Sequence, residues 1–253
     1  MTTFSDELVE RLVSASSVMA LTGAGISAES GVPTFRDPGG LWDKFKPEEL
    51  ANVDAFLENP VLVQTWYGHR RRIIEEVAPN PGHLALAELE SLLPEVSVIT
   101  QNVDGLHQEA GSTNVAELHG NLRRAYCVDC ETPAGEDALS PEAENVAMCR
   151  ECGGLIRPDV VWFGEMLPMD QVRRAENAVQ KADVCLSIGT SAIVYPAAGI
   201  PQQARANGAY VAEINVEPSA IADQIDETII GKAGEVLPAI VEAVRTKQSA
   251  TTE

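Results

Sequence analysis

The sequence contains no long hydrophobic segment, since nothing in it approaches the roughly 18 consecutive apolar residues that mark a membrane-spanning helix. Residues 1–7 also lack the basic and apolar stretches of a secretory signal peptide. Internal repeats are absent as well. We therefore expect a globular cytoplasmic protein with no membrane partner, in which the five cysteines stay reduced or bind metal.

Positive charge is scarce, because 18 Lys and Arg residues stand against 38 Asp and Glu residues, for a formal net charge of −20. Neutralising phosphates requires clustered basic side chains, so this balance argues against a general nucleic-acid-binding protein. The acidic surface either keeps the protein soluble or attracts lysine-rich protein segments. Charge alone does not separate these two interpretations.

Short apolar runs alternate with stretches of helical periodicity, which predicts an α/β fold with a doubly wound, mostly parallel sheet and helices on both faces. The predicted strands are 17–21, 96–100, 115–118, 160–163, 184–188 and 210–214. The predicted helices are 4–15, 47–57, 60–77, 81–93, 170–181, 196–207 and 234–247. The predicted modules are a sheet-forming domain (1–36, 82–122 and 159–247), a helical insert (37–81), a cysteine-bearing insert (123–158) and a disordered tail (248–253).

The segment after the first predicted strand combines glycines with small residues, from Gly23 and Gly25 to Ala28. The two glycines free the backbone to approach a ligand, and the N–H groups of the turn and of a following helix suit a pyrophosphate. Taken alone, this G-x-G-x-x-A spacing also suits an NAD-linked dehydrogenase, although no clear acidic residue closes a second strand about 20 residues on. The continuation 33–36 is unlike an ordinary dinucleotide-binding turn.

Small, polar or titratable residues follow the predicted strands at 22–25, 100–104, 118–120, 188–191 and 214–217. Ligands of doubly wound sheets bind beyond the carboxyl ends of the strands, so these ends predict where function lies. His119 is the candidate general base, because imidazole has an unperturbed pKa of about 6.5. His83, one turn into a helix, is instead predicted to hold the helix start or to pack locally.

Amide and carboxylate groups at two of these ends have two interpretations each. Gln101, Asn102 and Asp104 suit hydrogen bonds to ribose hydroxyls or to a carboxamide, but Asn102 and Asp104 could equally form an Asx-type turn. Asn215 and Glu217 could bind an adenosine ribose or cap the following helix. Spacing alone leaves these alternatives open.

Four of the five cysteines form two C-x-x-C pairs, Cys127 with Cys130 and Cys149 with Cys152, separated by 18 residues. This spacing is typical of a four-thiolate zinc site, which leaves no coordination position open and is therefore structural. The alternative is four unligated thiols, but the segment has too little apolar content to fold without a cross-link such as a bound metal ion. Cys185 lies in an apolar strand and is predicted to be part of the core.

Several motifs occur along the chain in one order: GAGIS at 23–27, GVPTFR at 31–36, TQNVD at 100–104, LHG at 118–120, the paired cysteines, and GTS at 189–191. In this order they resemble the sirtuins, the NAD-dependent protein deacylases, over nearly the whole chain from about residue 17 to residue 233. The resemblance implies a Rossmann-type large domain, a small zinc-bearing module and a helical module, with the substrate in the cleft between domains.

The resemblance also implies a role for each matching residue. Facing the NAD pyrophosphate would be Gly23, Ala24, Gly25 and Ser27, covered by a loop with Phe35 and Arg36. Holding the nicotinamide ribose and carboxamide would be Gln101, Asn102 and Asp104. Lining the adenosine side would be Gly189, Thr190, Ser191, Asn215, Glu217 and Ala233. The substrate peptide would lie as an added strand along Val160, Val161, Trp162, Phe163 and Gly164, and the paired cysteines would bind one structural zinc ion.

By the same resemblance, the protein consumes NAD and acts on proteins or peptides that carry acyl-lysine. The acyl carbonyl oxygen displaces nicotinamide from the ribose, His119 removes a proton from a ribose hydroxyl, and the acyl group leaves as O-acyl-ADP-ribose. The oligomeric state is left open, with a monomer among the options.

Tyr67 and Arg70 resemble the Tyr-x-x-Arg pair of the sirtuin class that removes succinyl and malonyl groups, and Thr34 fits this class better than the aspartate of deacetylase members. A carboxylate at the tip of a buried acyl chain requires a guanidinium and a further hydroxyl donor. Positions i and i+3 share one face of a helix, so both side chains can converge on such a carboxylate. The expected activity is therefore desuccinylation and demalonylation of lysine, with some deacetylation.

Three alternatives remain at this point. Arg70 could belong to a solvated charge run at 70–72, which would leave chiefly a deacetylase of the same family. An NAD-linked dehydrogenase would produce NADH and not nicotinamide. A zinc-stabilised reader would bind acyl-lysine without turnover.

Overall fold

The computed structural model describes residues 4–33, 50–135, 138–140 and 145–251. Its strands are β1 (Val18–Thr22), β2 (Val96–Thr100), β3 (Val115–Glu117), β4 (Gly120–Cys127), β5 (Ile156–Val160), β6 (Val184–Ile188), β7 (Tyr210–Asn215) and β8 (Glu227–Ile230). Its α-helices are α1 (Asp6–Ser14), α2 (Ala24–Ala28), α3 (Val53–Glu58), α4 (Pro60–Glu76), α5 (Pro81–Leu92), α6 (Leu106–Glu109), α7 (Met169–Lys181), α8 (Ile200–Ala206) and α9 (Ala233–Thr251).

Six strands form one parallel sheet in the order β3-β2-β1-β6-β7-β8. Every residue of β1, β2 and β6 is buried, which explains why these strands are continuous apolar runs in the sequence. The order of the strands along the chain reverses between β1 and β6, the place where doubly wound sheets open a crevice for ligands. The predicted parallel α/β architecture is confirmed.

Helices cover both faces of this sheet, because successive strand residues point to opposite sides. On one face, Leu8 of α1 and Leu86 of α5 pack with α9 against Ala20. On the other face, Met19 packs against Ala178 of α7 and against α8. Among the described residues, no helix is both long enough and apolar enough to cross a bilayer.

A second sheet of two antiparallel strands, β4 and β5, lies outside the parallel one. The helices α3 and α4 pack on it through a core cluster that contains Phe56, Tyr67, Leu122 and Trp162. This packing places the helical region beside the end of β5. The module boundaries predicted from the sequence stay predictions.

The predicted strand 160–163 is wrong beyond its first residue. Val160 ends β5, which belongs to the small antiparallel sheet and not to the parallel one. The chain then turns, because Glu165 N–H donates to the Trp162 carbonyl at 3.0 Å and Trp162 N–H donates to Glu165 Oε2 at 2.8 Å. The apolar residues of this segment that are buried are covered by the helical region, so their burial does not require a strand.

The prediction of a disordered tail is also wrong for 248–251, because α9 continues through Thr251. Gln248 Nε2 donates to the Leu92 carbonyl at 3.1 Å, and Ser249 Oγ donates to the Arg245 carbonyl at 3.0 Å. These bonds satisfy the polar side chains that favoured disorder in the sequence. The predicted helix 47–57 is described from residue 50 onwards, where α3 occupies Val53–Glu58. The predicted helix 196–207 divides into a 3₁₀ turn at Ala197–Gly199 and α8.

Candidate active site

The polar ends of the central strands meet at one edge of the sheet. Gln101 N–H donates to the Thr22 carbonyl and Gly23 N–H donates to the Ile188 carbonyl, both at 3.0 Å. Gly189 N–H in turn donates to the carbonyl of Ile214 at 2.9 Å. The turns after β1, β2, β6 and β7 therefore form one continuous surface, as the sequence predicted.

Glycines let the turn after β1 lie directly on the turn after β6. A Cβ atom on Gly25 would stand 2.7 Å from Gly189 Cα, and one on Gly23 would stand 2.8 Å from the Gly189 carbonyl oxygen. Gly189 itself has φ +58°, and a Cβ there would lie 2.5 Å from Ile26 N. The sequence explained these glycines by the approach of a pyrophosphate. The structure adds that the protein's own backbone fills the space that side chains would need.

His119 follows β3 and is partly buried at this edge. Its Nδ1 lies 3.0 Å from the Gln101 carbonyl oxygen, and because a carbonyl only accepts, Nδ1 carries the proton. Nε2 is then an acceptor. Burial lowers the pKa of His119 below its ordinary value, and the bond to Gln101 opposes this only in part. The ring is therefore neutral near neutral pH and able to take up a proton.

Three of the residues assigned to the nicotinamide end or the pyrophosphate bond to one another. Ser27 Oγ donates to Asp104 Oδ2 at 2.8 Å, and Asn102 Nδ2 donates at 3.0 Å to both Ser27 Oγ and the Gly23 carbonyl. Asp104 Oδ1 accepts from Leu106 N–H at 2.9 Å, which is the Asx-type turn that the sequence left open. Burial raises the pKa of Asp104, while these hydrogen bonds and Arg123 partly oppose it.

Two buried histidines lie behind this group. His83 Nδ1 accepts from Asn80 N–H at 3.3 Å in a capping box, which confirms its predicted place at a helix start, and its Nε2 lies 3.4 Å from Ser27 Oγ. The rings of His83 and His107 are 4.9 Å apart, and His107 Nε2 lies 2.9 Å from Thr22 Oγ1. Burial lowers the pKa of His83 to about 4 and that of His107 to about 3. Sequence reasoning missed His107, because no pattern in the chain connects it to Thr22.

The residues assigned to the adenosine side are brought together only in part. Asn215 Nδ2 donates to the Thr190 carbonyl at 3.0 Å, and Thr190 Oγ1 accepts from Gln101 Nε2 at 3.1 Å. Ser191 follows Thr190 directly, and Ala24, at the start of α2, is half-buried. Glu217 is exposed on the loop after β7, and Ala233 is buried at the start of α9 beside Gly82. Phe35, Arg36 and Thr34 lie outside the described residues.

The paired cysteines converge as their spacing predicts. The Sγ atoms of Cys127, Cys130, Cys149 and Cys152 all lie within 4.8 Å of one another. The Cys127–Cys152 and Cys130–Cys152 separations are 3.4 Å and the Cys130–Cys149 separation is 3.7 Å, close to the roughly 3.8 Å between thiolates that share a tetrahedral zinc ion. No disulfide joins them. The four thiols fit one structural zinc ion, and Cys185 is core as predicted.

The segment assigned to the substrate peptide connects His119 with the helical region. Val161 N–H donates to the His119 carbonyl at 3.0 Å, and Phe163 N–H donates to the Ala51 carbonyl at 2.9 Å. Trp162 is buried, Phe163 is exposed and Gly164 has φ +86°.

Tyr67 and Arg70 lie on one side of α4, as the i and i+3 spacing predicts. Tyr67 is fully buried and its hydroxyl oxygen accepts from Trp162 Nε1 at 2.9 Å. The Arg70 guanidinium carbon lies 5.0 Å from the centre of the Trp66 ring and 5.8 Å from that of Tyr67. Burial lowers the pKa of Arg70, and the nearby Tyr67 and Asp104 oppose this shift. Arg70 is half-buried against these rings, whereas Arg72 is exposed.

A model of the Sir2 family matches residues 23–196. The chain belongs to the Sir2 family. It is similar to the NAD-dependent protein deacylase 2 of Pyrobaculum aerophilum, with 54% identity over 248 residues that cover 96% of this chain and 99% of that protein. The solved complex of a Sir2 homologue with NAD has a TM-score of 0.91 at 44% identity, covering 97% of this chain and 96% of that one. A Sir2 structure with a p53 peptide and NAD⁺ has a TM-score of 0.86 at 33% identity, covering 95% and 98% of the two chains.

The side chains that meet in this Sir2 protein have the chemistry that NAD requires. A carboxamide offers N–H donors and a carbonyl acceptor, which amide, hydroxyl and carboxyl groups such as those of Asn102, Ser27 and Asp104 can pair with. A neutral imidazole beside them suits a ribose hydroxyl. The donor set therefore fits a nicotinamide nucleotide.

Proposed function

We propose that this member of the Sir2 family removes succinyl and malonyl groups, and also acetyl groups, from lysine side chains. The broader class is NAD-dependent protein deacylase, to which its relatives of high identity belong. NAD is the co-substrate, and its ribose is the acceptor to which the acyl group is transferred when NAD is bound. The acyl carriers are modified proteins or peptides, in keeping with the p53 peptide bound to a Sir2 relative.

His119 is assigned the role of general base. Its Nδ1–H donates a hydrogen bond to the Gln101 carbonyl. The unprotonated Nε2 is therefore the atom that takes up a proton from a ribose hydroxyl. Partial burial keeps the ring neutral until that proton arrives. The same bond orients the ring, since rotation would break it.

Asn102 and Asp104 are assigned to the nicotinamide end, together with Gln101, and Ser27 is assigned to the pyrophosphate. Their mutual hydrogen bonds hold the side chains in one arrangement before a ligand binds. Such preorganisation lowers the entropic cost of binding and of reaching the reactive geometry. The glycine turn and the residues 189–191, 215, 217 and 233 are assigned to the remainder of the dinucleotide, with Phe35 and Arg36 on its covering loop.

The preference for acidic acyl groups rests on one observation, the placement of Arg70 beside Tyr67 and among aromatic rings. A desolvated guanidinium is stabilised by an anion, and a carboxylate is its best-matched partner. Tyr67 adds a hydroxyl on the same side of α4. Succinyl and malonyl groups end in a carboxylate, whereas acetyl ends in a methyl group and does not use this pair.

A groove for the peptide backbone is consistent with the exposed apolar side chains near the turn after β5. Phe163 is 53% exposed and Met166 is 82% exposed, and Tyr195 is 73% exposed on the turn that follows β6. These side chains are accessible to a bound peptide. Pairing through the backbone would give weak selectivity for peptide sequence.

Replacement of Arg70 by Met tests the acyl preference. Arg70→Met removes the charge but keeps a long apolar side chain over the rings, so we expect the ratio of succinyl to acetyl kcat/KM to fall about 10- to 100-fold, the effect of one charge-assisted hydrogen bond or ion pair. Nicotinamide release from the same peptide in both acyl forms measures the ratio. Arg72→Met, in the same basic run but exposed, is the matched control. Equal losses on both peptides would rule out the acyl preference, leaving chiefly a deacetylase.

A further inference from the structure

The hydrogen bond between Trp162 and Tyr67 has only one possible direction. The indole nitrogen donates and never accepts, so the Tyr67 oxygen accepts at 2.9 Å. The phenolic proton must therefore find another acceptor. Among the residues that the structure describes, this bond is the only one that the Tyr67 hydroxyl makes.

The neighbour of that hydroxyl cannot take its proton. Arg70 lies 5.8 Å from the centre of the Tyr67 ring, and a guanidinium has no acceptor. Burial raises the pKa of Tyr67 to about 12, so the hydroxyl keeps its proton and acts as a donor. The Tyr67 hydroxyl thus keeps a proton to donate, which an incoming carboxylate can accept.

Trp162 is held firmly in the position that sets this direction. The guanidinium carbon of Arg157 lies 3.6 Å from the centre of the indole, and the ring of Phe56 is 5.1 Å away. Arg157 also binds both carboxylate oxygens of Glu165, at 2.6 and 2.8 Å. Glu165 accepts from the backbone N–H of Trp162 at 2.8 Å, so the turn and the indole are fixed together.

We propose that Trp162 is a specificity-determining positioning residue for acidic acyl groups. Trp162 donates a hydrogen bond to the Tyr67 oxygen. The phenolic proton is thereby directed to the carboxylate of a succinyl or malonyl group. This inference rests on the proposed function, because it assumes that Tyr67 and Arg70 bind that carboxylate. Acetyl offers no carboxylate to the proton, so the effect is confined to acidic acyl groups.

Trp162→Phe tests the inference, because it removes the indole N–H and keeps an aromatic ring between Arg157 and Phe56. The readout is the ratio of succinyl to acetyl kcat/KM on one peptide, in which any loss shared by both substrates cancels. We expect Trp162→Phe to lower the ratio about tenfold, as for one weakened hydrogen bond to a charged group. Glu165→Gln loosens the anchor of Trp162 and keeps the Tyr67 hydroxyl, and we expect it to lower the ratio as well.

Tyr67→Phe and the double variant with Trp162→Phe complete a mutant cycle. If Trp162 acts through the hydroxyl, Trp162→Phe has no further effect on the ratio once the hydroxyl is gone. Tyr126→Phe is the matched control. The centre of the Tyr126 ring lies 5.6 Å from the Arg157 guanidinium carbon, but Tyr126 does not contact the Tyr67 hydroxyl. The succinyl-to-acetyl ratio of this variant should equal that of the wild type.

The outcomes separate the two proposals. If Tyr67→Phe lowers the ratio and Trp162→Phe does not, the positioning role is overturned and the proposed function stands. If Trp162→Phe lowers the ratio equally with and without the hydroxyl, Trp162 acts by packing and the inference is again overturned. If neither Tyr67→Phe nor Arg70→Met changes the ratio, the proposed acyl preference fails and the inference fails with it.

Discussion

Two parts of the candidate site are stabilised in different ways. At the ends of the parallel strands, Ser27, Asn102 and Asp104 satisfy one another by hydrogen bonds. On α4, Tyr67 and Arg70 lie among aromatic rings, and both present donors. The first group is complete by itself and would serve every acyl substrate alike. The second offers a hydroxyl and a guanidinium, which can pair with the carboxylate of an acidic acyl group.

The difference also has a structural origin. The first group stands on strands whose neighbours are fixed by backbone register over their whole length. The second stands on a helix that packs on the small antiparallel sheet through Tyr67 and Trp162. Changes at the strand ends should therefore act on all peptides, whereas changes around α4 should act on the choice of acyl group.

The largest effect is expected at the base. His119→Tyr should lower kcat at least about 100-fold with both succinyl and acetyl peptides, since a general base contributes roughly that much or more. Nicotinamide release measures the loss, and His69→Tyr, the same replacement at an exposed histidine, is the control. Full NAD-dependent turnover by the His119 variant would remove the assigned base.

An intermediate effect is expected at the glycine turn. Gly25→Ala places a methyl group 2.7 Å from Gly189 Cα, and relieving such a clash typically costs about 1–3 kcal/mol of unfolding free energy. The KM for NAD should rise by the same factor with either peptide. Gly135→Ala is the matched control, because a Cβ there meets no atom within 4 Å. Unchanged stability in Gly25→Ala would show that the two turns do not lie as close as described.

The smallest effect is expected in the pH profile. Burial lowers the pKa of His119 below 6.5, and the base must be neutral, so kcat/KM should rise with pH and reach half its maximum below pH 6.5. The midpoint should be the same for both acyl peptides, because the same imidazole serves as the base for each. A midpoint above 6.5, or two different midpoints, would contradict this assignment.

Unfolding at low pH has to be measured beside that profile. His83 and His107 have folded-state pKa values of about 4 and about 3, below the ordinary 6.5, so the unfolded chain binds protons more readily than the folded one. The contribution of these two histidines to the free energy of unfolding is therefore fully present above pH 6.5 and falls as the pH drops from there towards 3. Urea midpoints across the same range separate loss of fold from protonation of His119.

Elements bounded by clear signals were predictable from the sequence. The strands 96–100 and 184–188 match β2 and β6 at both ends, because continuous apolar runs between polar turns leave little choice of register. The convergence of the four cysteines followed from their spacing. β8 was missed because only one of its four residues is buried.

Contacts between distant residues could not be predicted in this way. Ser27 and Asp104 are 77 positions apart, and Tyr67 and Trp162 are 95 apart, so no local pattern joins either pair. The segment 160–163 shows the consequence, because its β-branched and aromatic residues predict a strand while Trp162 is buried by the helical region. Tertiary packing overrides strand propensity there.

We propose that this site prefers an acyl group that ends in a carboxylate. The most direct test of this proposal is one kinetic comparison, in which the wild-type protein is given NAD and the same peptide carrying succinyl-, malonyl- or acetyl-lysine, with nicotinamide release as the readout. We expect a higher kcat/KM for the succinyl and malonyl peptides than for the acetyl peptide. An acetyl peptide that is turned over as well as or better than both acidic ones would contradict it.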